Sequence, residues 1–320
     1  MPGTDLDPQM MAVLEKQRTL AAPAGDLAQM PLEEIRRCYE LERSYWNAGA
    51  PDVASVREST IKGPVGDIAL RCYLPTTDSP LPGLVYLHGG GWVVGSLDSH
   101  DRIMRRLAAD SGTAVLGVNY SLSPEYKFPV ALEETTAVIE YLQASGGELG
   151  VDGRRLALGG DSAGANMAVS VAQAQHAANP GTVHYLLLYY GGYGLADSAS
   201  RRLFGGADDG MSATDLAFYR DCYLRSPGEA KDSRVNVLDG NIAVLPPAFI
   251  GVAQCDPLRD DSLALKALMA CAGIASELHM YQGVLHGFLH YGRMLDKANT
   301  ALKEGAAALG QAVHQLKEGL

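Results

Sequence analysis

Short apolar runs alternate with longer amphipathic stretches along most of the chain. Apolar runs bounded by glycine or proline are typical of buried strands, whereas apolar residues repeating every three to four positions are typical of helices. The pattern predicts strands at 53–61, 67–74, 84–87, 114–118, 155–159, 185–190, 248–252 and 276–281. It predicts helices at about 130–144, 165–172, 212–224, 261–271 and 291–317. This alternation indicates an α/β fold, with a mostly parallel eight-stranded sheet and helices on both faces.

Two segments depart from this alternation. Residues 1–50 are helical and amphipathic before any strand begins, and residues 191–243 contain no convincing strand. An insertion after the sixth strand would lie above the carboxyl ends of the strands. We therefore expect an N-terminal helical cap segment at 1–50, a cap insertion at 191–243, and a core formed by 51–190 and 244–320. An oligomerisation arm is the alternative for the first segment.

Composition narrows the classes of function. The 320 residues carry a net charge of −11, which argues against binding nucleic acid through its phosphates. No apolar run is long enough to span a bilayer, and the first twenty residues lack the apolar stretch of a signal peptide. Five scattered cysteines without metal-ligand spacing suggest free thiols in a reducing compartment. We expect a cytoplasmic protein with neither a membrane nor a nucleic-acid partner, and a homodimer is left open.

The segment from Gly160 to Gly164 has the form G-x-S-x-G and joins a predicted strand to a predicted helix. A serine on such a tight turn is exposed at the start of a helix, and flanking glycines relieve the crowding of the backbone. Ser162 is therefore the candidate nucleophile. The amide of Ala163, the first of that helix, points toward negative charge that forms beside the serine.

A serine hydroxyl needs a base and a group that orients the base. His286 is the candidate base, because it lies in a loop between the last predicted strand and the last helix. Asp256 is the candidate acid, because it ends a strand and precedes a proline. Asp260 and Asp261 are competitors, but they fall where a helix starts and are interpreted as helix caps.

The segment His88-Gly89-Gly90-Gly91 leaves a predicted strand with three residues that lack a Cβ atom. The amides of Gly90 and Gly91 can therefore approach a substrate oxygen closely and stabilise an oxyanion. His88 is expected to shape this loop and not to ionise in catalysis. A dinucleotide or phosphate loop is the rival interpretation, but neither G-x-G-x-x-G after the first strand nor a Walker lysine pattern occurs.

Four motifs together resemble the hormone-sensitive-lipase-like family of α/β hydrolases. They lie at 88–92, 160–164, 256–258 and 286–288. Further stretches resemble bacterial acetyl esterases within that family: 95–105, 120–125, 197–206 and 286–294. The resemblance covers roughly residues 55–310. It implies an α/β-hydrolase fold with a helical cap, a small-molecule ester as substrate, and hydrolysis of short-chain esters without a cofactor. No metal ion is expected either, because no cluster of histidines, cysteines and carboxylates has zinc-like spacing.

Two positions depart from the pattern of the family, and neither affects the three proposed catalytic residues. Ser121 stands where many members carry arginine, and it suits the acetyl-esterase branch. Ala165 replaces a second glycine after the serine turn and is small enough to leave the turn undisturbed.

Three bulky residues are expected near the site. Trp92, Tyr190 and Tyr193 either wall a short acyl pocket or merely pack the cap on the core. The sequence thus predicts a serine carboxylesterase acting on acetyl to butyryl esters. The alternatives are a lactonase or amidase with the same three residues, and a non-catalytic ligand-binding protein on a hydrolase scaffold.

Overall fold

The computed structural model describes residues 6–20, 27–78, 80–206 and 210–316. Eight strands form one sheet in the order β1-β2-β4-β3-β5-β6-β7-β8. The strands are β1 (Ser55–Lys62), β2 (Asp67–Leu74), β3 (Leu81–Leu87), β4 (Ala114–Asn119), β5 (Val151–Asp161), β6 (Val183–Tyr189), β7 (Ala248–Cys255) and β8 (Ser276–Leu285). Strand β2 runs antiparallel to both β1 and β4, and the other neighbouring strands are parallel. The prediction of a mostly parallel eight-stranded α/β sheet is confirmed.

Helices cover both faces of the sheet. The helices are α1 (Pro8–Leu20), α2 (Leu32–Asn47), α3 (Asp101–Ser111), α4 (Val130–Ser145), α5 (Ala163–Ala178), α6 (Ala199–Phe204), α7 (Ala213–Tyr223), α8 (Arg259–Cys271) and α9 (Asp296–His314). Helices α4, α5 and α8 share one apolar cluster with the sheet, and α3 and α9 share a second cluster. The central strands are buried on both sides, as their nearly continuous apolar sequences require.

The last predicted helix is displaced. It was expected at 291–317, but α9 begins at Asp296, and a separate 3₁₀ turn covers Phe288–Tyr291. Residue 317 lies outside the described residues, as do residues 1–5 and 21–26 of the predicted N-terminal segment. In the 191–243 segment, the described residues form α6, α7 and three 3₁₀ turns without a strand.

The two segments outside the sheet contact each other above the site. Ile35 of α2 packs with Val93 and Val94, which follow the glycine loop, and Tyr219 of α7 packs against the same cluster. Arg36 donates hydrogen bonds to the carbonyl oxygen of Val93 at 2.9 Å and to that of Ser123 at 3.0 Å. Helix α2 is thus fixed to the loop that follows β3. Within the part of the chain that the structure describes, no helix is long and apolar enough to cross a membrane.

Strand order determines where a ligand can bind. Strands β3 and β5 are neighbours, with Leu87 opposite Gly160, yet the chain visits β4 between them. The loops that leave their carboxyl ends therefore run to opposite faces of the sheet and open a crevice between them. Such a reversal of strand order is where open α/β sheets bind their ligands.

Candidate active site

Ser162 lies on the turn between β5 and α5. Its backbone has φ 52° and ψ −117°, a left-handed conformation that costs a non-glycine residue about 1–3 kcal/mol. The turn is held because the Ser162 amide donates to the carbonyl oxygen of Tyr189 at 2.9 Å, and the Ser162 carbonyl accepts from the amide of Asn166 at 3.2 Å. The hydroxyl is thus presented at the carboxyl edge of the sheet, at the start of α5.

The two glycines that flank this turn are required by a close approach of backbone. A Cβ on Gly160 would lie 2.3 Å from the carbonyl oxygen of Leu87, and a Cβ on Gly164 would lie 1.9 Å from the same atom. Both distances are far shorter than a non-bonded contact. The serine turn therefore packs directly on the end of β3, just before the glycine loop begins.

His286 and Asp256 complete a hydrogen-bonded chain with the serine. His286 follows β8, and its Nε2 lies 2.9 Å from the Ser162 Oγ. Its Nδ1 lies 2.8 Å from the Asp256 Oδ2, and the Asp256 Oδ1 accepts a hydrogen bond from the amide of Leu258 at 2.7 Å. Asp256 is fully buried after β7. The structure thus brings together the three residues that the sequence singled out, with Asp256 and neither of its competitors beside the imidazole.

Asp261 has a different role from the helix cap expected of it. Helix α8 begins after Leu258 without a side-chain cap. The fully buried Asp261 carboxylate instead accepts hydrogen bonds from three successive amides, those of Tyr193, Gly194 and Leu195, at 2.8–3.1 Å. Asp260 likewise accepts from the amide of Ser200 on α6. Both aspartates therefore organise the segment after β6, and the cap interpretation is wrong.

The glycine loop adopts backbone conformations that favour glycine. Gly90 has φ 117° and Gly91 has φ 60°, and a Cβ on Gly91 would lie 2.3 Å from the ring of Tyr219. The carbonyl oxygen of Gly90 accepts hydrogen bonds from the amides of Val93 and Val94, both at 3.0 Å. One cavity is lined by Gly91, Ser162 and Ala163, so the glycine loop and the start of α5 border the same space.

His88 lies beneath this loop. Its ring stacks on Tyr120 with centroids 4.3 Å apart, and its Nδ1 lies 2.8 Å from the carbonyl oxygen of Gly89. Burial, and after it the neighbouring His100, lowers the pKa of His88 from 6.5 to about 3. The imidazole is therefore neutral at physiological pH, a state suited to shaping the loop.

A cavity of about 510 Å³ opens beside Ser162, a size within the range usual for small-molecule sites. Its wall includes Trp92 and Tyr223, whose rings stack 4.2 Å apart at an angle of 6°. Other lining residues come from the segment between β6 and α6, from α6 and the residue that follows it, and from α7: Gly192, Gly194, Leu195, Arg201, Gly205, Ala213, Leu216, Ala217 and Tyr219. Most of this wall therefore comes from the 191–243 segment.

Two of the three residues expected in the pocket lie elsewhere. Tyr190 is buried below the site, where its hydroxyl donates to Asp161 at 3.3 Å and its ring packs edge-on against His286. Tyr193 is fully buried, because Asp261 holds its amide and turns the segment inward. Neither tyrosine belongs to the residues that line the cavity. Of the three residues, Trp92 alone lines this cavity.

Near the serine turn lies a buried polar cluster that the sequence did not predict. His100, Asp161 and His290 each offer one potential metal-ligand atom, and these atoms lie within 4.8 Å of one another. The Asp161 Oδ1 already accepts hydrogen bonds from the Tyr86 hydroxyl at 2.8 Å and the Gly89 amide at 3.0 Å. We therefore assign the cluster to hydrogen bonding. The signal for this cluster in the sequence is slight: His100 lies within the 95–105 stretch that resembles acetyl esterases.

Electrostatics of this cluster favour an ionised aspartate. Burial alone would raise the pKa of Asp161, but His100 and the hydrogen bonds from Tyr86 and Gly89 outweigh it and hold that pKa below its usual value. Burial lowers the pKa of His290 well below its usual value, and nearby Arg43 acts in the same direction. A buried carboxylate thus lies one residue before the candidate nucleophile.

Comparison with known proteins places this arrangement in a family. A family model described as the α/β-hydrolase fold matches residues 84–290. The chain is 41% identical over 307 residues to an acetyl esterase of Salmonella paratyphi B, covering 95% of this chain and 94% of that one. An acetyl esterase of Salmonella typhi is equally similar, at 41% identity over 307 residues.

Solved structures give the same result. A hyperthermophilic esterase from the archaeon Pyrobaculum calidifontis superposes with a TM-score of 0.91 at 31% identity, covering 96% of this chain and 99% of that one. An ester hydrolase from the metagenome of Lake Arreo superposes with a TM-score of 0.89 at 32% identity, covering 96% and 98%. The chain belongs to the hormone-sensitive-lipase-like α/β hydrolases and is a carboxylic ester hydrolase.

Proposed function

We propose that this chain is a serine carboxylesterase that hydrolyses acetyl and other short-chain acyl esters, up to butyryl, through an acyl-enzyme. The observation that carries the proposal is the continuous chain from Ser162 through His286 to Asp256, with contacts of 2.9 and 2.8 Å, beside a cavity of about 510 Å³. Esters need no redox or group-carrying chemistry, so the proposed reaction requires no cofactor.

In the first half-reaction, the Nε2 of His286 accepts the proton of the Ser162 hydroxyl as Oγ attacks the ester carbonyl. Asp256 accepts a hydrogen bond from Nδ1, which fixes the tautomer with a free Nε2 lone pair and stabilises the imidazolium that forms. His286 then gives its proton to the departing alcohol, and the acyl group stays on Ser162. In the second half-reaction His286 activates a water, which releases the acid.

The oxyanion of each tetrahedral intermediate is proposed to accept hydrogen bonds from the amides of Gly90, Gly91 and Ala163. The approach of glycine backbone to the cavity at Gly91, and the position of Ala163 at the start of α5, support this assignment. Donors fixed in this way act on charge that exists only in the transition state, and losing one typically costs about 10²- to 10³-fold in kcat.

The preference for short acyl groups rests on the relatives and on the cavity wall. Similar proteins of two Salmonella strains are acetyl esterases. The stacked rings of Trp92 and Tyr223 form a bulky wall beside the glycine loop. Helix α7 carries Asp215, Arg220 and Asp221, so it offers little continuous apolar surface for binding to a lipid interface. We propose that residues 1–50 and 191–243 act together as the cap over this site.

Hydrolysis rates with p-nitrophenyl esters from acetate to palmitate, beside a lactone and an anilide, test the proposal. We expect acetate to butyrate to be favoured. Ser162→Ala should lower the rate by about 10⁴- to 10⁶-fold without changing the fold, because only binding and the oxyanion donors remain. If the Ser162→Ala variant hydrolysed esters at a rate within tenfold of wild type, the mechanism would be contradicted. A preference for palmitate would contradict the substrate range, and faster cleavage of the lactone or anilide would favour that class instead.

A further inference from the structure

Lys127 is not one of the residues that line the cavity beside Ser162, yet its side chain binds the segment that covers the site. It belongs to the loop between β4 and α4 and is half-buried. A lysine ammonium is strongly hydrated and usually extends into solvent. The protein atoms around this ammonium group therefore indicate what it does.

Three carbonyl oxygens surround the ammonium group of Lys127. Its Nζ donates hydrogen bonds to the carbonyl oxygens of Asp221, Cys222 and Leu224 at 2.8–2.9 Å. An ammonium group has three N–H donors, so this set uses all of them. The acceptors belong to the last turn of α7 and the residue after it, where carbonyl groups have no partner within the helix and the helix dipole favours a cation. Lys127 thus fixes the C-terminal end of α7 to the core.

The next residue of the loop adds to this attachment. The amide of Phe128 donates to the carbonyl oxygen of Tyr223 at 2.9 Å, and the two rings pack edge-on with centroids 5.8 Å apart. Two successive residues therefore bind all four carbonyl groups from 221 to 224. Of the residues of α7, all of which the structure describes, Tyr223 alone is buried. The helix therefore depends on its C-terminal end for a fixed position on the core.

The position of this end determines one wall of the cavity. Tyr223 is the last residue of α7, and its ring stacks on Trp92 in that wall. The Tyr223 hydroxyl and the Trp92 ring nitrogen are both buried without a hydrogen-bond partner among the described residues. The backbone of Tyr223 therefore decides where the two rings meet, and that backbone is held by the loop that carries Lys127.

We propose that Lys127 is a positioning residue for the acyl-chain preference: its ammonium group holds the C-terminal end of α7 on the core and so holds Tyr223 against Trp92 as a wall of the cavity. This role rests on the function proposed above. Lys127 acts through the backbone of α7 and not by contact with the substrate. Without its ammonium group, this end of α7 should move outward and the cavity should admit a longer acyl chain.

Two substitutions separate the ammonium group from the volume of the side chain. Lys127→Met keeps an unbranched side chain of similar length but removes the three donors. We expect it to raise the ratio of kcat/KM for p-nitrophenyl hexanoate over butyrate about fourfold, the factor that burial of one additional methylene contributes. Lys127→Arg keeps the charge and N–H donors, so its ratio should lie nearer to that of wild type.

A matched control lies at the opposite edge of the sheet. The half-buried Lys266 of α8 also binds backbone, with its Nζ 2.6 Å from the carbonyl oxygen of Ser276 at the start of β8. Ser162 follows the carboxyl end of β5, and β5 to β8 run parallel, so this contact lies far from the site. Lys266→Met should lower the melting temperature, as Lys127→Met should, but leave the ratio within about twofold of wild type.

A combination with Trp92→Ala tests whether Lys127 acts through this wall. Trp92→Ala removes the ring on which Tyr223 stacks and so opens the wall by itself. In that background Lys127→Met should raise the ratio by less than about twofold, because changes that act on one shared structure are not additive. An equal rise in both backgrounds would mean that Lys127 acts elsewhere, and it would overturn the proposal.

The chain-length ratio of the single variants decides the rest. A folded Lys127→Met variant whose ratio rises less than about twofold would overturn the proposal, even if all of its rates fall together. So would an equal rise in Lys127→Arg or in Lys266→Met. If Lys127→Met does not fold, Lys127→Gln decides the question alone: its two N–H donors cannot bind three carbonyl groups, so its ratio should rise more than about twofold, and a smaller rise would overturn the proposal. Wild-type enzyme inactive on every ester would instead overturn the function on which the proposal rests.

Discussion

Trp92 connects the proposed oxyanion loop to the shape of the cavity. It directly follows Gly91, lines the cavity, and stacks on Tyr223 with ring centroids 4.2 Å apart. Trp92→Ala removes the indole and leaves Tyr223 facing open space. The backbone at this position has φ 64°, so alanine carries the same backbone cost as tryptophan, and the change acts chiefly through lost volume.

The space that is opened should admit longer acyl chains. Burying a methylene contributes about 0.8 kcal/mol, so two additional methylenes contribute about 1.6 kcal/mol, or about 15-fold in kcat/KM. We therefore expect the ratio of kcat/KM for hexanoate over butyrate to rise by up to about 15-fold in Trp92→Ala. The kcat/KM for acetate should fall by less than this factor, because an acetyl group is too small to fill the space beside this wall.

The assay is kcat/KM across p-nitrophenyl acetate, butyrate, hexanoate and octanoate. Tyr223→Phe is the matched control, because the buried Tyr223 hydroxyl has no hydrogen-bond partner among the described residues, while the ring that stacks on Trp92 is kept. Its chain-length profile should match that of wild type. An unchanged profile in Trp92→Ala would refute the reasoning, and so would an equal shift in Tyr223→Phe.

Three further predictions concern the acid, metals and pH. Asp256→Asn should lower kcat by about 10⁴-fold by disturbing the tautomer of the histidine, whereas Asp260→Asn should have a far smaller effect; similar losses in kinetic assays of both would contradict the assignment. Dialysis against EDTA should leave the rate unchanged, and a loss that added metal restores would refute this. Because the pKa of His88 falls from 6.5 to about 3 on folding, the unfolded chain binds its proton first, so stability decreases as pH falls below 6.5. Because this group is fully buried, the free energy of unfolding should fall by about 2 kcal/mol between pH 6.5 and pH 5. Chemical denaturation at several pH values should show that the free energy of unfolding depends less steeply on pH in His88→Asn than in wild type. An equal dependence on pH in the two proteins would contradict this prediction.

The sequence identifies the three central residues because each depends on local features. Ser162 requires a strand, a tight turn and a helix in succession, and that order is visible as an apolar run followed by G-x-S-x-G. Asp256 and His286 each follow a strand, and the carboxyl ends of parallel strands meet at one edge of a sheet. Residue type and period are therefore sufficient to place all three at that edge.

The position of a side chain within a long connecting segment has no such local determinant. Tyr193 could face the cavity or the core, and what decides is the carboxylate of Asp261, 68 residues later, which binds three successive amides of the segment. The same aspartate was interpreted as a helix cap because its near neighbours suggest one. Both errors have one cause, an interaction between residues that are distant in the sequence and whose types alone do not pair them.

Three glycines of the two motifs differ from those side chains in one respect, since each leaves room for an atom of the other motif or of the residue directly before it. Gly160 and Gly164 of the serine turn lack a Cβ because of the Leu87 carbonyl at the end of β3. Gly89 of the loop after β3 lacks one because of the Asp161 carboxylate in the serine turn. A sequence comparison treats these motifs as two separate signals. Physically they are one interlocked unit, because neither backbone can adopt its position unless the other motif has glycine at the point of contact.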